Sequence, residues 1–177
     1  LFTVSAIAQP NPKLLLKLEQ NAAALEQKTI EWRRVLHQNP ELSNREVKTS
    51  ARIAEHLKGL GLEVQTGIAN TGVVALLKTG KPGPVVALRA DMDALPVDER
   101  NSLSFASKER VMFNDRETGV MHACGHDSHM AILMAVAEIL TNNKAELKGT
   151  VKFIFQPAEE GAGTEPGGAS LMIEQGV

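Results

Sequence analysis

The chain has 177 residues, enough for one well-buried domain and short for two. It is 43% hydrophobic and 23% charged, and its formal net charge of -2 is spread along the chain, which excludes the basic patch that nucleic acid requires. No apolar run is long enough to span a bilayer, and a single cysteine, Cys124, excludes an intrachain disulfide.

In chain order, residues 1–9 read LFTVSAIAQ, with the small-x-small pattern Ala6-Ile7-Ala8 that a signal peptidase recognises. They are expected to be a signal-peptide remnant, which places the protein in the periplasm or outside the cell; without that reading the location is cytoplasmic. Residues 12–38 form the first predicted helix, with Leu15, Leu18, Leu25, Trp32 and Leu36 on helical spacing, and Asn39-Pro40 stops it. Ser43 with Glu46 makes a capping-box pattern for a second helix running to about Leu60, where Gly59 and Gly61 end it.

Residues 62–66, 72–78 and 85–89 read as strands, the last two separated by the turn at 79–84. The little polar alternation in those two runs predicts strands buried on both faces of a sheet. Residues 102–118 are polar and irregular, a loop or short hairpin. A third helix follows over about 125–142, then a strand over 149–155, a Pro/Glu/Gly loop, and a short helix over 168–174. Helices alternating with strands predict an α/β layer architecture.

The polar residues that carry chemistry gather at strand ends and at the start of a helix. Arg89-Ala90-Asp91-Met92-Asp93 follows one strand, Gln156-Pro157-Ala158-Glu159-Glu160-Gly161 follows another, and His122-Ala123-Cys124-Gly125-His126-Asp127-Ser128-His129 opens the third helix. Ligands of open α/β sheets bind at the carboxyl ends of strands, so three clusters converge where a site belongs. Three histidines, a cysteine and an aspartate within eight residues are a dense set of metal donors, and the glycine between Cys124 and His126 lets both reach one ion. Glu159 and Glu160 repel each other unless a cation neutralises them; one can ligate a metal while the other acts as general base on water. His37 and His56 fall on the first two helices and are expected to be structural. There is no G-x-S-x-G elbow for a serine hydrolase, and the glycines at 161–168 lack the GK[ST] of a phosphate loop.

With those residues in view, the chain resembles the zinc-type aminoacylase/carboxypeptidase metallohydrolases, in the branch that holds hippurate hydrolase, N-acyl-amino-acid amidohydrolases and auxin-conjugate hydrolases. The segments that carry the resemblance are LHQNPELSNRE, LRADMDALPV, GVMHACGHDSHMA and FQPAEEGAGTEPGGASLMIEQGV. The resemblance implies a mixed central sheet flanked by helices, with residues 10–177 forming the amino-terminal portion of a zinc-peptidase-like catalytic domain and the lid domain absent. It implies Cys124, His126 and Glu160 as metal ligands and Glu159 as the general base. Asp91 stands where other branches carry a ligand histidine, and Asp93 matches the acid beside the site; both are candidates to orient the ligands from behind.

The expected cofactor is a divalent metal, two ions per complete site, with zinc first and manganese, nickel or cobalt as alternatives. The expected reaction is hydrolysis of the amide of an N-acyl amino acid or related conjugate, with that small molecule as the partner, no nucleic acid, no membrane span, and homo-oligomer contacts through the missing lid domain. The alternative is a truncated fragment that binds metal or ligand without turnover.

Overall fold

The computed structural model describes residues 11–161 and 163–177. The signal-like stretch at 1–9 lies outside the described residues. Helix α1 (Pro12–Gln38) begins where Asn11 Oδ1 accepts the Lys13 N–H at 3.0 Å and Pro12 supplies a preset φ, and it ends two residues before Pro40, with Asn39 as its C-cap. Helix α2 is Val47–Gly59. Strands β1 (Glu63–Ile68), β2 (Gly72–Lys78) and β3 (Val85–Asp91) follow, then the hairpin β4 (Arg110–Phe113) and β5 (Arg116–Gly119) within the stretch expected to be loop or hairpin. Helix α3 (His126–Asn142), strand β6 (Thr150–Gln156) and helix α4 (Gly168–Glu174) complete the chain.

The capping box expected at Ser43 and Glu46 does not form. Glu46 makes no side-chain cap; the first turn of α2 is capped from outside, by Glu41 accepting the N–H of Lys48 at 3.1 Å and of Thr49 at 2.8 Å. Ser43 and Glu46 are engaged elsewhere, as described below.

The sheet is mixed and runs β1-β2-β6-β3. β1 and β6 are antiparallel to β2, while β3 lies parallel to β6, paired from Val85↔Thr150 to Asp91↔Gln156. Thus β2 and β3, consecutive in the chain, are not neighbours: the later strand β6 is inserted between them. A parallel pair needs a crossover, and α3 supplies it. The crossover brings the carboxyl ends of β3 and β6 to the same edge as the amino end of α3.

Helices α2 and α3 pack on the sheet around Ile53, Leu57, Val73, Leu77, Met130, Met134, Phe153 and Phe155, with α1 against α3. Fully burying side chains of this size contributes about 1.5–3 kcal/mol each, before entropy is counted. The expectation of burial on both faces holds for β2 and fails for β3. Val73 and Val74 are buried, whereas Val85 is 66% and Val86 49% exposed. The reason is position: β3 ends the sheet, and only Leu88 and Ala90 turn into the core.

Candidate metal centre

Three chain segments meet at the shared strand end. Gly125 takes φ +90°, a left-handed conformation that costs a glycine little, and this turn places Cys124 and His126 on one side of the start of α3. On the other side, the turn after β6 is held in place by unusual backbone. Ala158 has φ +49°, which a residue with a side chain adopts only under constraint. Its N–H donates to Glu46 Oε1 at 2.9 Å and its carbonyl accepts the Gly168 N–H at 3.1 Å. A Cβ on Gly168 would lie 1.8 Å from the Pro157 carbonyl oxygen, so only glycine fits there. This turn presents Glu159 and Glu160.

One donor atom each from Cys124, His126 and Glu160 lies within 4.8 Å of the other two. His126 is buried, and its Nδ1 donates to the Asp93 main-chain carbonyl at 2.8 Å. That bond turns Nε2 toward the acids, 3.9 Å from Glu160 Oε1 and 3.8 Å from Glu159 Oε2, and in the neutral ring it sets the tautomer whose lone pair is on Nε2. Glu160 Oε1 is buried and, among the described residues, has no hydrogen-bond partner. The Glu159 side chain is 40% exposed.

Asp93 organises the centre from beneath. Its Oδ2 accepts from Ser43 Oγ at 2.6 Å and from the Glu160 N–H at 2.9 Å, while Oδ1 stands 3.4 Å from His126 Nδ1 and acts there through its charge. Burial pushes the Asp93 carboxyl up, but the His126 ring, Ser43 and the backbone N–H groups outweigh it and hold the pKa at about 2. The Asp93 side chain in turn raises His126 to about 9, against the opposing effect of burial. The neighbouring Glu160 carboxylate, then partial burial and the charges of Glu159 and Asp93, pushes the exposed Cys124 thiol up as well. A thiol, an imidazole and a carboxylate gathered in a field this negative fit a divalent cation, whose charge opposes the upward shifts of Cys124 and His126.

Asp91 is not among the clustered donors; it ends β3 and accepts from Arg89 Nε at 2.8 Å. His129 is exposed, its ring 6.0 Å from that of His126. His122 is buried, has neither ring nitrogen hydrogen-bonded among the described residues, and burial lowers its pKa to about 4, which keeps it neutral. His37, read as structural, is bracketed by Asp127 Oδ2 at 2.8 Å on Nδ1 and Glu99 Oε1 at 2.9 Å on Nε2, and Arg33 adds a 2.7 Å contact to the same Asp127 oxygen. This network ties α1 to the first turn of α3, next to His126. Sequence reading missed Ser43 and Glu46 as supports of the centre, because their capping pattern was a sufficient local explanation.

The model of peptidase family M20/M25/M40 matches residues 87–177. The chain is similar to thermostable carboxypeptidase 2 of Saccharolobus solfataricus, 48% identical over 93% of this chain and 39% of the relative. It is similar to an N-acyl-L-amino acid amidohydrolase of Geobacillus stearothermophilus, 45% identical over 84% of this chain and 37% of the relative. Among solved structures, a Bacillus subtilis dinuclear metal binding peptidase of the M20 family superposes with a TM-score of 0.75 at 45% identity, over 87% of this chain and 40% of that one. The chain thus spans about two fifths of the length of these relatives.

Proposed function

From the premise that the chain belongs to peptidase family M20/M25/M40, we propose that the whole protein hydrolyses the amide bond of N-acyl amino acids or related conjugates at a divalent metal centre. The observation that carries this reading is the grouping of Cys124, His126 and Glu160 donors within 4.8 Å, with Glu159 beside them and exposed. Cys124, His126 and Glu160 hold the ion; the thiolate donor favours zinc. A second ion, as in the dinuclear relative, would need donors besides these three.

A bound divalent ion polarises the scissile carbonyl and lowers the pKa of water from 15.7 to about 7. The rest falls to this chain. Glu159 takes a proton from the attacking water and passes it to the departing amine nitrogen as the C–N bond breaks. Glu160, whose donor atom groups with those of Cys124 and His126, would hold the ion, while Glu159, 3.8 Å from His126 Nε2 but 40% exposed, stays open to water. Asp93 keeps His126 in the tautomer that offers Nε2, and Ser43 keeps Asp93 ionised and in place.

The test is turnover by the whole protein, before and after chelation, on N-acyl amino acids sharing one amino acid. Turnover that disappears with chelator and returns with zinc, manganese, nickel or cobalt is the expected result. Hydrolysis that survives complete metal removal sinks the proposal.

A further inference from the structure

Helix α3 starts without a side-chain cap. Gly125 stands at the capping position, and its carbonyl accepts from the Ser128 and His129 N–H groups at 3.0 and 3.2 Å. Yet His126 and Asp127, the first two residues of the helix, are both buried. The groups that hold this turn come from outside it. The Asp93 carbonyl holds His126, as described above, and α1 holds Asp127 through Arg33 and His37. Successive helical residues point about 100° apart, so two such anchors fix both the rotation and the height of the turn.

The anchor on Asp127 is itself anchored. Asp127 Oδ2 accepts from Arg33 Nε, and Glu99 Oε1 accepts from Asn101 Nδ2 at 2.5 Å. The two oxygens that face the His37 ring are therefore acceptors, and both ring nitrogens donate to them. The three side chains are at most 4% exposed. Glu99 Oε2 takes the Ser107 N–H, and Phe105 of the same loop lies 5.8 Å from the His37 ring and 5.4 Å from the Arg33 guanidinium. Burial pushes the Glu99 carboxyl up, but His37, Ser107 and Asn101 outweigh it and hold it below the usual range. A histidine needed only to fill space has no reason to stand between two buried acids, whose desolvation is costly. What this arrangement supplies is direction: one imidazole joins α1, the 99–107 loop and the start of α3.

We propose that His37 is a positioning residue of the metal centre: through Asp127 it fixes the first turn of α3, and with it the reach of His126 toward Cys124 and Glu160. The inference rests on the metal-binding part of the function proposed above.

The experiment measures zinc affinity of the whole protein by competition with a chromophoric chelator. The visible spectrum of the cobalt form, which reports ligand geometry, and the thermal midpoint of the metal-free protein are read alongside. His37→Gln offers one donor and sets an oxygen against the second acid. It is expected to weaken zinc binding about 10-fold, the lower end of what groups behind metal ligands contribute, and to shift the cobalt absorption. Glu99→Ala frees the far side of the ring and is expected to weaken binding about threefold, which keeps the test alive if His37→Gln does not fold. Zinc affinities within about twofold of wild type in both variants, with the cobalt spectrum unmoved, overturn the inference whatever the midpoints do. The expected losses in a protein that hydrolyses no N-acyl amino acid support the role of His37 and sink the amidohydrolase reading. A wild type that binds no zinc sinks both.

Discussion

Two glutamates at the same end of the sheet, Glu46 and Glu160, are instructive side by side. Glu46 is fully buried, yet both its oxygens are used: Oε2 accepts from Thr71 Oγ1 at 2.6 Å and Oε1 from the Ala158 N–H at 2.9 Å. Glu160 is only partly buried, yet its Oε1 has no partner among the described residues and faces a thiol and an imidazole nitrogen. Burial raises the Glu46 pKa, with Thr71 and Ala158 pulling against it. A carboxylate with filled valences is architecture. One left with open valences beside two other donors is free to take a ligand. The same contrast separates His37, whose two ring nitrogens pair with Asp127 and Glu99, from His126, which among the described residues is hydrogen-bonded through Nδ1 alone.

The largest effect that breaks this division is on the acid facing solvent. Glu159→Gln is expected to lower turnover by the whole protein about 10²- to 10⁴-fold with bound metal unchanged, read by steady-state kinetics and metal analysis. A parallel loss of metal would move Glu159 into the ligand set. Next, Asp93→Asn should weaken metal binding about 10- to 100-fold by loosening His126 and the Glu160 turn, measured by competition with a chromophoric chelator. Unaltered affinity would show that the ligands are held without it.

On the architectural side, Glu46→Ala strips the Ala158 N–H and Thr71 of their partner and is expected to cost about 1–3 kcal/mol in denaturant unfolding. Glu46→Gln can accept from Ala158 and donate to Thr71, so it should recover most of that loss. If Gln is as damaging as Ala, the charge of Glu46 matters and the division drawn here is too simple.

The smallest effect is at His56, half-buried on α2 with Nε2 donating to the Met134 carbonyl at 3.1 Å, whose pKa burial lowers from 6.5. A base with a depressed folded-state pKa contributes stability that is full above pH 6.5 and is lost as pH falls below it. Unfolding free energy measured from pH 7.5 downward should therefore decline more gently in His56→Gln than in wild type; identical slopes would remove His56 from the account.

Much of this was legible in the sequence, and what was not shares a cause. The bounds of α1 and α4, and the meeting of the three polar clusters, follow from local periodicity and from the rule that sites form at strand ends. The roles of Ser43 and Glu46 were hidden because Asp93, Thr71 and Ala158 lie 50, 25 and 112 residues away, beyond any local pattern. The apolar run of β3 resembles that of β2, but which one is central depends on β6, a strand made later and inserted between them. Composition reports how apolar a strand is, not what lies on either side of it.

Cobalt substitution is the sharpest probe of the proposed metal ligand Cys124. A thiolate bound to Co²⁺ gives an intense near-ultraviolet charge-transfer band that oxygen and nitrogen ligands do not. The whole protein loaded with cobalt is expected to show that band, and Cys124→Ser to lack it. A band that persists in Cys124→Ser, or never appears in the cobalt-loaded wild type, would contradict the centre described here.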